Sequence, residues 1–191
     1  MKWLFRMILI TTSRRPTRIM RTLCRDLADT IPSIRRVNRG KMSIFDIGEK
    51  AIGIGADKVL IIDRWKGRPG RMRLFEVKEN LSQIPPQLYI RGVKFRRDFE
   101  SKKRKGSSYP RRVFIEESEK VSPDVKKLCE TFSRFFNLPI VKSNRMDESR
   151  SFTVMRLSLD PENLIRVSFY LMPKNIEVGP RIRISHAVWE I

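Results

Sequence analysis

The stretch MILITTSRRPTRIMRTLCRDLADTIPSIRR, residues 7–36, decides the fold class. Met7 to Ile10 is a continuous apolar run closed by Thr11, Thr12 and Ser13. Such a run predicts a strand buried on both faces, as in a sheet covered by helices. Pro16 can open a helix. Ile19, Met20, Leu23, Cys24, Leu27, Ala28 and Ile31 then recur at helical spacing, with Arg18, Arg21, Arg25, Asp26 and Asp29 on the other face, until Pro32 stops the run. A buried strand feeding an amphipathic helix predicts an α/β domain.

Working outward, Ser43 with Asp46 three residues on reads as a capping box, and that helix runs out at Gly53 and Gly55. Val59 to Ile62 is a second apolar strand, joined through Lys66 to Gly70 to a strand carrying Met72, Leu74 and Glu76. Beyond Val77 the pattern weakens. Residues 81–111 read as a connector with one short element around Leu88, Tyr89 and Ile90. Val113 to Ile115 is a strand. Ser122 and Pro123 start a helix with Val125, Leu128, Cys129, Phe132, Phe135 and Phe136 on one stripe, ended by Pro139. Phe152 to Leu159 and Leu164 to Leu171 flank the turn Asp160 to Asn163, and Ile182, Ile184 and Val188 form a last strand that starts at Arg181 and completes the sheet.

The halves echo each other. Strand, helix with Leu23 and Cys24, Pro32, then Asn38 and Arg39 in the first half are matched by strand, helix with Leu128 and Cys129, Pro139, then Asn144 and Arg145 in the second. That is the mark of an internal duplication, with an N-terminal half about 1–80 and a C-terminal half about 112–191. Both cysteines then become buried packing residues. Two cysteines and the single His186 exclude a disulfide framework and a four-ligand zinc site, and no apolar run reaches a membrane span.

The 191 residues hold 41 Lys and Arg against 21 Asp and Glu, a net +20. Residues 1–41 carry 11 basic against 2 acidic side chains, and residues 91–112 carry 10 against 2. Clustering of one sign is the footprint of phosphate neutralisation. Arg14 and Arg15 after the first strand, with Arg35, Arg36, Asn38, Arg39 and Lys41 after the helix, suit a phosphate backbone. With the two loops at opposite ends of that helix, roughly 20 Å apart, they predict a track along its Arg18, Arg21 and Arg25 face, with exposed side chains throughout. Arg68, Arg96, Arg97 and Arg181 complete the candidate set. The run Lys102 to Lys105 reads equally as contact or as flexible tail. Trp3, Tyr89, Phe95, Phe99, Tyr109 and Trp189 could offer stacking faces.

Other motifs are weaker. Asp63, Glu76 and Lys78 across the first hairpin could form a metal-dependent nuclease centre, although a surface ion pair explains them more simply. Gly53 and Gly55 follow a helix instead of opening one, which is not a dinucleotide fingerprint. His186 has no evident partner.

Three blocks carry a family resemblance: Thr11 to Arg15 with Asn38, Arg39 and Gly40; Lys66 to Pro69; and Val178 to Arg183. Through them the chain resembles the Brix-domain family of ribosome-biogenesis proteins, in its pre-rRNA-processing branch and short archaeal-type version. The resemblance runs from about Met7 to Ile191 and is loose between Leu81 and Val121. Asn80 to Pro86 stands where relatives carry a Leu-Pro-aromatic-Gly-Pro-Thr stretch. The resemblance implies one α/β domain over residues 1–191, of two structurally similar halves, each a small sheet with packed helices like the anticodon-binding domain of class II aminoacyl-tRNA synthetases. It further implies non-catalytic binding of ribosomal RNA or its precursor, no cofactor or metal, other ribosome-assembly proteins as partners, and a cytoplasmic location (nucleolar in a eukaryote). The competing readings are the nuclease and a basic protein-binding adaptor.

Overall fold

The computed structural model describes residues 7–66, 68–99, 112–117, 122–142 and 151–190. Lys102 to Lys105, Trp3, Tyr109, Asn144 and Arg145 lie outside them. The order is β1 (Met7–Thr12), α1 (Arg18–Thr30), β2 (Ile34–Arg36), α2 (Ile44–Gly53), β3 (Ala56–Trp65), β4 (Arg68–Val77) and β5 (Leu81–Lys94), with a 3-10 turn at Arg96–Asp98. There follow β6 (Val113–Glu117), α3 (Pro123–Phe136), β7 (Ile140–Lys142), β8 (Phe152–Leu159), β9 (Ile165–Met172), β10 (Ile176–Glu177) and β11 (Arg181–Val188). Among the described residues these strands form one sheet, β2-β1-β3-β4-β5-β11-β9-β8-β6-β7, with β10 paired to β9. β1 runs parallel to β2 and β3, and β6 runs parallel to β7 and β8; the other pairs are antiparallel. Read from either edge, the sequence of parallel and antiparallel neighbours is the same.

Period-two alternation sorts the buried strands onto two faces. Ile8, Ile10, Leu60 and Ile62 enter the main core with Leu23 and Leu27 of α1 and Phe132 and Phe136 of α3. Leu9, Val59 and Ile61 point the other way, onto Ile47 and Ala51 of α2. The helix signals act as expected from their chemistry. Ser43 and Asp46 form the reciprocal capping box, and Ser122 caps α3 with Pro123 in its first turn. Lys58 of β3 donates its ammonium to the Phe135 carbonyl at 3.1 Å, supplying a cation to the C-terminal end of α3.

Several expectations change. The stretch read as a connector opens with the fourteen-residue β5, hydrogen-bonded to both β4 and β11. The last strand starts at Arg181 as expected, but it sits mid-sheet between β5 and β9. Pro16 lies before the N-cap, which is Thr17. Met20, Leu23, Cys24, Leu27 and Ile31 of the expected stripe are buried, but Ile19 is exposed and Asp26, expected on the outer face, is buried. The buried Asp26 carboxylate accepts the Arg96 backbone N–H at 2.9 Å.

Candidate functional site

β1 and β2 are parallel, with Ile10 beside Arg36, and the Val37 N–H donates to the Ile10 carbonyl at 2.9 Å. Helix α1, about 20 Å long at 1.5 Å per residue, carries the chain away from the end of β1, and β2 carries it back. Arg35, Arg36, Asn38 and Arg39 therefore return to the end of the sheet where Arg14 and Arg15 leave it. The expected 20 Å separation between the two loops is wrong, because a three-residue return strand was invisible in the sequence. The segments converge.

Local geometry fixes the convergence. The Ser13 N–H donates to the Ile62 carbonyl at 2.9 Å, and the Ser13 hydroxyl accepts the Arg64 N–H at 3.2 Å. Arg15 turns the chain at φ 56, and Thr17 then caps α1, accepting the Met20 N–H at 3.5 Å. Arg14, Arg15, Arg18, Arg35, Arg36, Asn38, Lys41 and Arg68 are all exposed. Among the described residues, none of Arg14, Arg15, Arg18, Arg35 and Arg36 meets a carboxylate within ion-pair distance. The first turn of α1 holds no acid, whereas Asp46 and Asp124 occupy those of α2 and α3. The positive end of the α1 dipole thus adds to the arginine field.

Arg39 departs from the expected exposed track, for it is only 6% exposed. Its Nε donates to the Met42 carbonyl at 2.8 Å, while Nη1 is buried with no hydrogen-bond partner. Burial first, then the like charges of Arg14 and Arg73, pull its pKa below the ordinary value.

The remaining candidates have partners within the fold. Arg96 pairs with Asp29 at 3.2 Å, Arg97 lies 3.6 Å from Asp98 and over the Phe95 ring, and Arg181 pairs with Glu177 and lies over Phe99. Phe95 and Phe99 are buried, so they are packing residues, not stacking faces. Trp189 is covered by the Lys127 ammonium, 4.0 Å from the ring centroid. His186 has a partner after all, stacked on Tyr89 with centroids 4.2 Å apart. Asp63 is buried and held by Arg73 and Arg71, while Glu76 pairs with Lys78 at 3.3 Å. In the β3–β4 register Glu76 faces Lys58 and Asp63 faces Arg71, which puts the two carboxylates about 17 Å apart at ~3.3 Å per residue. They cannot share a cation. Both cysteines are buried, and burial pushes the Cys24 thiol up to about 12 and Cys129 to about 11. No helix among the described residues is long and apolar enough to cross a membrane.

Solved structures share this architecture. A probable ribosomal biogenesis protein of Aeropyrum pernix superposes with TM-score 0.73 at 24% identity, covering 94% of this chain and 96% of the other. An archaeal Imp4-like protein superposes with TM-score 0.63 at 20% identity, covering 95% and 99%. The fold is that of archaeal ribosome-biogenesis proteins. No family model matches the sequence. A probable Brix domain-containing ribosomal biogenesis protein of Pyrococcus horikoshii is 30% identical over 193 residues, spanning 96% of this chain and 84% of that protein. A protein of the same name from Thermococcus kodakarensis is 38% identical over 92 residues, 48% of this chain and 44% of the other. This chain belongs to the family of Brix domain-containing ribosomal biogenesis proteins.

Proposed function

We propose that the chain is a non-catalytic, cytoplasmic assembly factor that binds ribosomal RNA or its precursor along the edge built by β1, β2 and the start of α1. One observation carries this: Arg14, Arg15, Arg18, Arg35 and Arg36 lie along that one edge, exposed and with no carboxylate within ion-pair distance among the described residues. Holding so many like charges together is unfavourable in the free protein, and a phosphate backbone relieves it through counterion release. The role is positioning. Arginine forks hold phosphates and leave the RNA free to fold or pair. The mirrored strand order supports an origin in two similar halves of the anticodon-binding type. Ile44, Phe45 and Ile52, all exposed on α2, support a protein contact separate from the arginines, and other assembly factors suit it.

Fluorescence anisotropy with several unrelated rRNA fragments tests the reading. The triple variant Arg14→Gln, Arg15→Gln, Arg36→Gln should lose about tenfold or more in affinity for all of them alike, at an unchanged Tm. Absence of RNA affinity in the wild-type chain at low salt would favour the protein adaptor instead. RNA cleavage in Mg²⁺ that Glu76→Gln abolishes would overturn the non-catalytic part.

A further inference from the structure

The tip of the β3–β4 hairpin carries the sequence Arg64-Trp65-Lys66-Gly67-Arg68. Trp65 is 67% exposed, and among the described residues its ring meets no other ring and no cation. An indole is a large apolar surface, so leaving it this far in water is unfavourable. The backbone is nevertheless shaped to hold it there. Asp63 faces Arg71 and Arg64 faces Pro69, which leaves Gly70 as the extra residue of a β-bulge. A Cβ on Gly70 would lie 2.1 Å from the Trp65 Cβ, so only glycine fits at that point. Bulges of this kind re-aim a neighbouring side chain.

The charges around the ring are as open as the ring itself. Arg64, Lys66 and Arg68 are exposed, and none has a carboxylate within ion-pair distance among the described residues. The tip also continues the arginine edge. Thr12 lies beside Ile62, and the Ser13 hydroxyl accepts the Arg64 N–H at 3.2 Å, so the chain leaves β1 for Arg14 and Arg15 next to Arg64 and Trp65. An exposed aromatic face among unpaired cations is suited to an unpaired base flanked by its phosphates. We infer that Trp65 stacks on one unpaired nucleobase of the RNA, with Arg64, Lys66 and Arg68 on the phosphates beside it. The inference rests on the RNA-binding reading and adds what the arginines cannot supply. Phosphate contacts hold single strands and duplexes alike, whereas a base inside a duplex has no free face for the indole. Trp65 therefore gives the edge its preference for single-stranded RNA.

The experiment measures affinities of the full chain for a single-stranded oligoribonucleotide and for a duplex of equal length. In Trp65→Ala the single-strand affinity should fall about tenfold, the lower range of one base–aromatic stack, while the duplex affinity holds. The slope of log affinity against log salt should keep its wild-type value, because no phosphate contact is lost. Trp65→Phe should recover most of the affinity. Equal losses on both RNAs, or no loss, overturn the stack while leaving the RNA-binding reading intact. Should Trp65→Ala melt well below wild type, the double variant Trp3→Phe, Trp189→Phe decides, with Trp65 as its single tryptophan. Single strands should quench its fluorescence saturably and duplexes should not; no quenching overturns the stack. If the wild-type chain binds neither RNA, the reading and the stack fail together. Quenching by phosphatidylserine vesicles and not by RNA would assign the tip to an anionic membrane, which also overturns it.

Discussion

The two edges of the sheet are built alike and charged differently. Each is a strand, a helix and a short parallel strand, β1-α1-β2 on one side and β6-α3-β7 on the other. β1 runs into Thr11, Thr12, Ser13, Arg14 and Arg15, and its neighbour offers Arg35 and Arg36. β6 ends in Glu116 and Glu117. On the second side three arginines have carboxylate partners: Arg156 with Glu116, Arg181 with Glu177, and Arg183 with Asp160 and Glu162. On the first side, five arginines have none among the described residues. Arginine thus serves cohesion in the interior of the sheet, Arg71 and Arg73 on Asp63 as well as Arg156 on Glu116, whereas the β1-α1-β2 edge presents five arginines without an ion pair among the described residues.

The comparison presumes one continuous sheet, so the largest expected effect comes from cutting it. Deleting residues 179–191 removes β11, which joins β5 to β9 and contributes the buried Ile182 and Ile184. Stability should fall by at least about 5 kcal/mol and cooperative unfolding should be lost, followed by differential scanning calorimetry. Melting like the full chain would mean that the halves stand without the strand between them.

Gly179→Ala is the milder cut at the same junction. Gly179 has φ +66, its Cβ would lie 2.4 Å from the Phe99 ring, and its carbonyl accepts the Thr30 hydroxyl of α1 at 3.5 Å. Left-handed strain and overpacking together should cost roughly 2–4 kcal/mol in urea titrations.

Arginine substitutions test the division of labour itself. Arg156→Met strips Glu116, whose side chain is 12% exposed, of a two-pronged partner, and should cost roughly 1–3 kcal/mol. Arg14→Gln or Arg15→Gln should stay within about 0.5 kcal/mol of wild type, as an exposed side chain without a partner does. Equal losses in chemical denaturation would erase the distinction.

Acid gives the smallest effect, with opposite signs in the two halves. Burial works to raise the Asp160 carboxyl, but the Arg183 guanidinium and the Leu164 and Glu162 N–H groups outweigh it and hold the pKa below 3.8. Its contribution is present above the ordinary carboxylate value and is lost as pH falls through the depressed one. Asp26 is the reverse. Burial raises its pKa above 3.8, against the Arg96 N–H and charge, so its contribution is full at low pH and declines as pH rises through the raised value. Asp160→Asn should therefore lower Tm at pH 7 and not at pH 2, whereas Asp26→Asn should leave Tm at pH 7 equal or higher. Parallel melting curves across pH 2–7 check both.

Where a single period runs through a segment, the sequence was readable. The apolar run of β1, the helical stripe with its flanking prolines in α1, and the paired Ser43 and Asp46 each reported their own structure. Where backbone pairing supplies the order, it was not. Pro85 and Pro86 and the register shifts of β5 against β4 and β11 break the alternation that would mark a strand. β2 has one buried residue, Ile34, followed by two exposed arginines. Missing it put the loops after β1 and after α1 about 20 Å apart, whereas β2 returns the second loop to the end of the sheet where the first begins. Burial of Arg39 left no local signal, because arginine reads as surface wherever the chain does not say what covers it.

The most direct test is the salt dependence of RNA affinity for two variants of equal charge loss. One replaces Arg14 and Arg15 by Gln. The other replaces Lys126 and Arg134, exposed on α3 in the opposite half. Removing one phosphate-binding arginine should make the slope of log affinity against log salt shallower by about 0.7–0.9. The first variant should therefore lose about 1.4–1.8 in slope, and the second should keep the wild-type slope. Equal changes in both would mean that RNA responds to net charge alone, and an unchanged slope in the first would mean that the open arginine edge is not where phosphates bind.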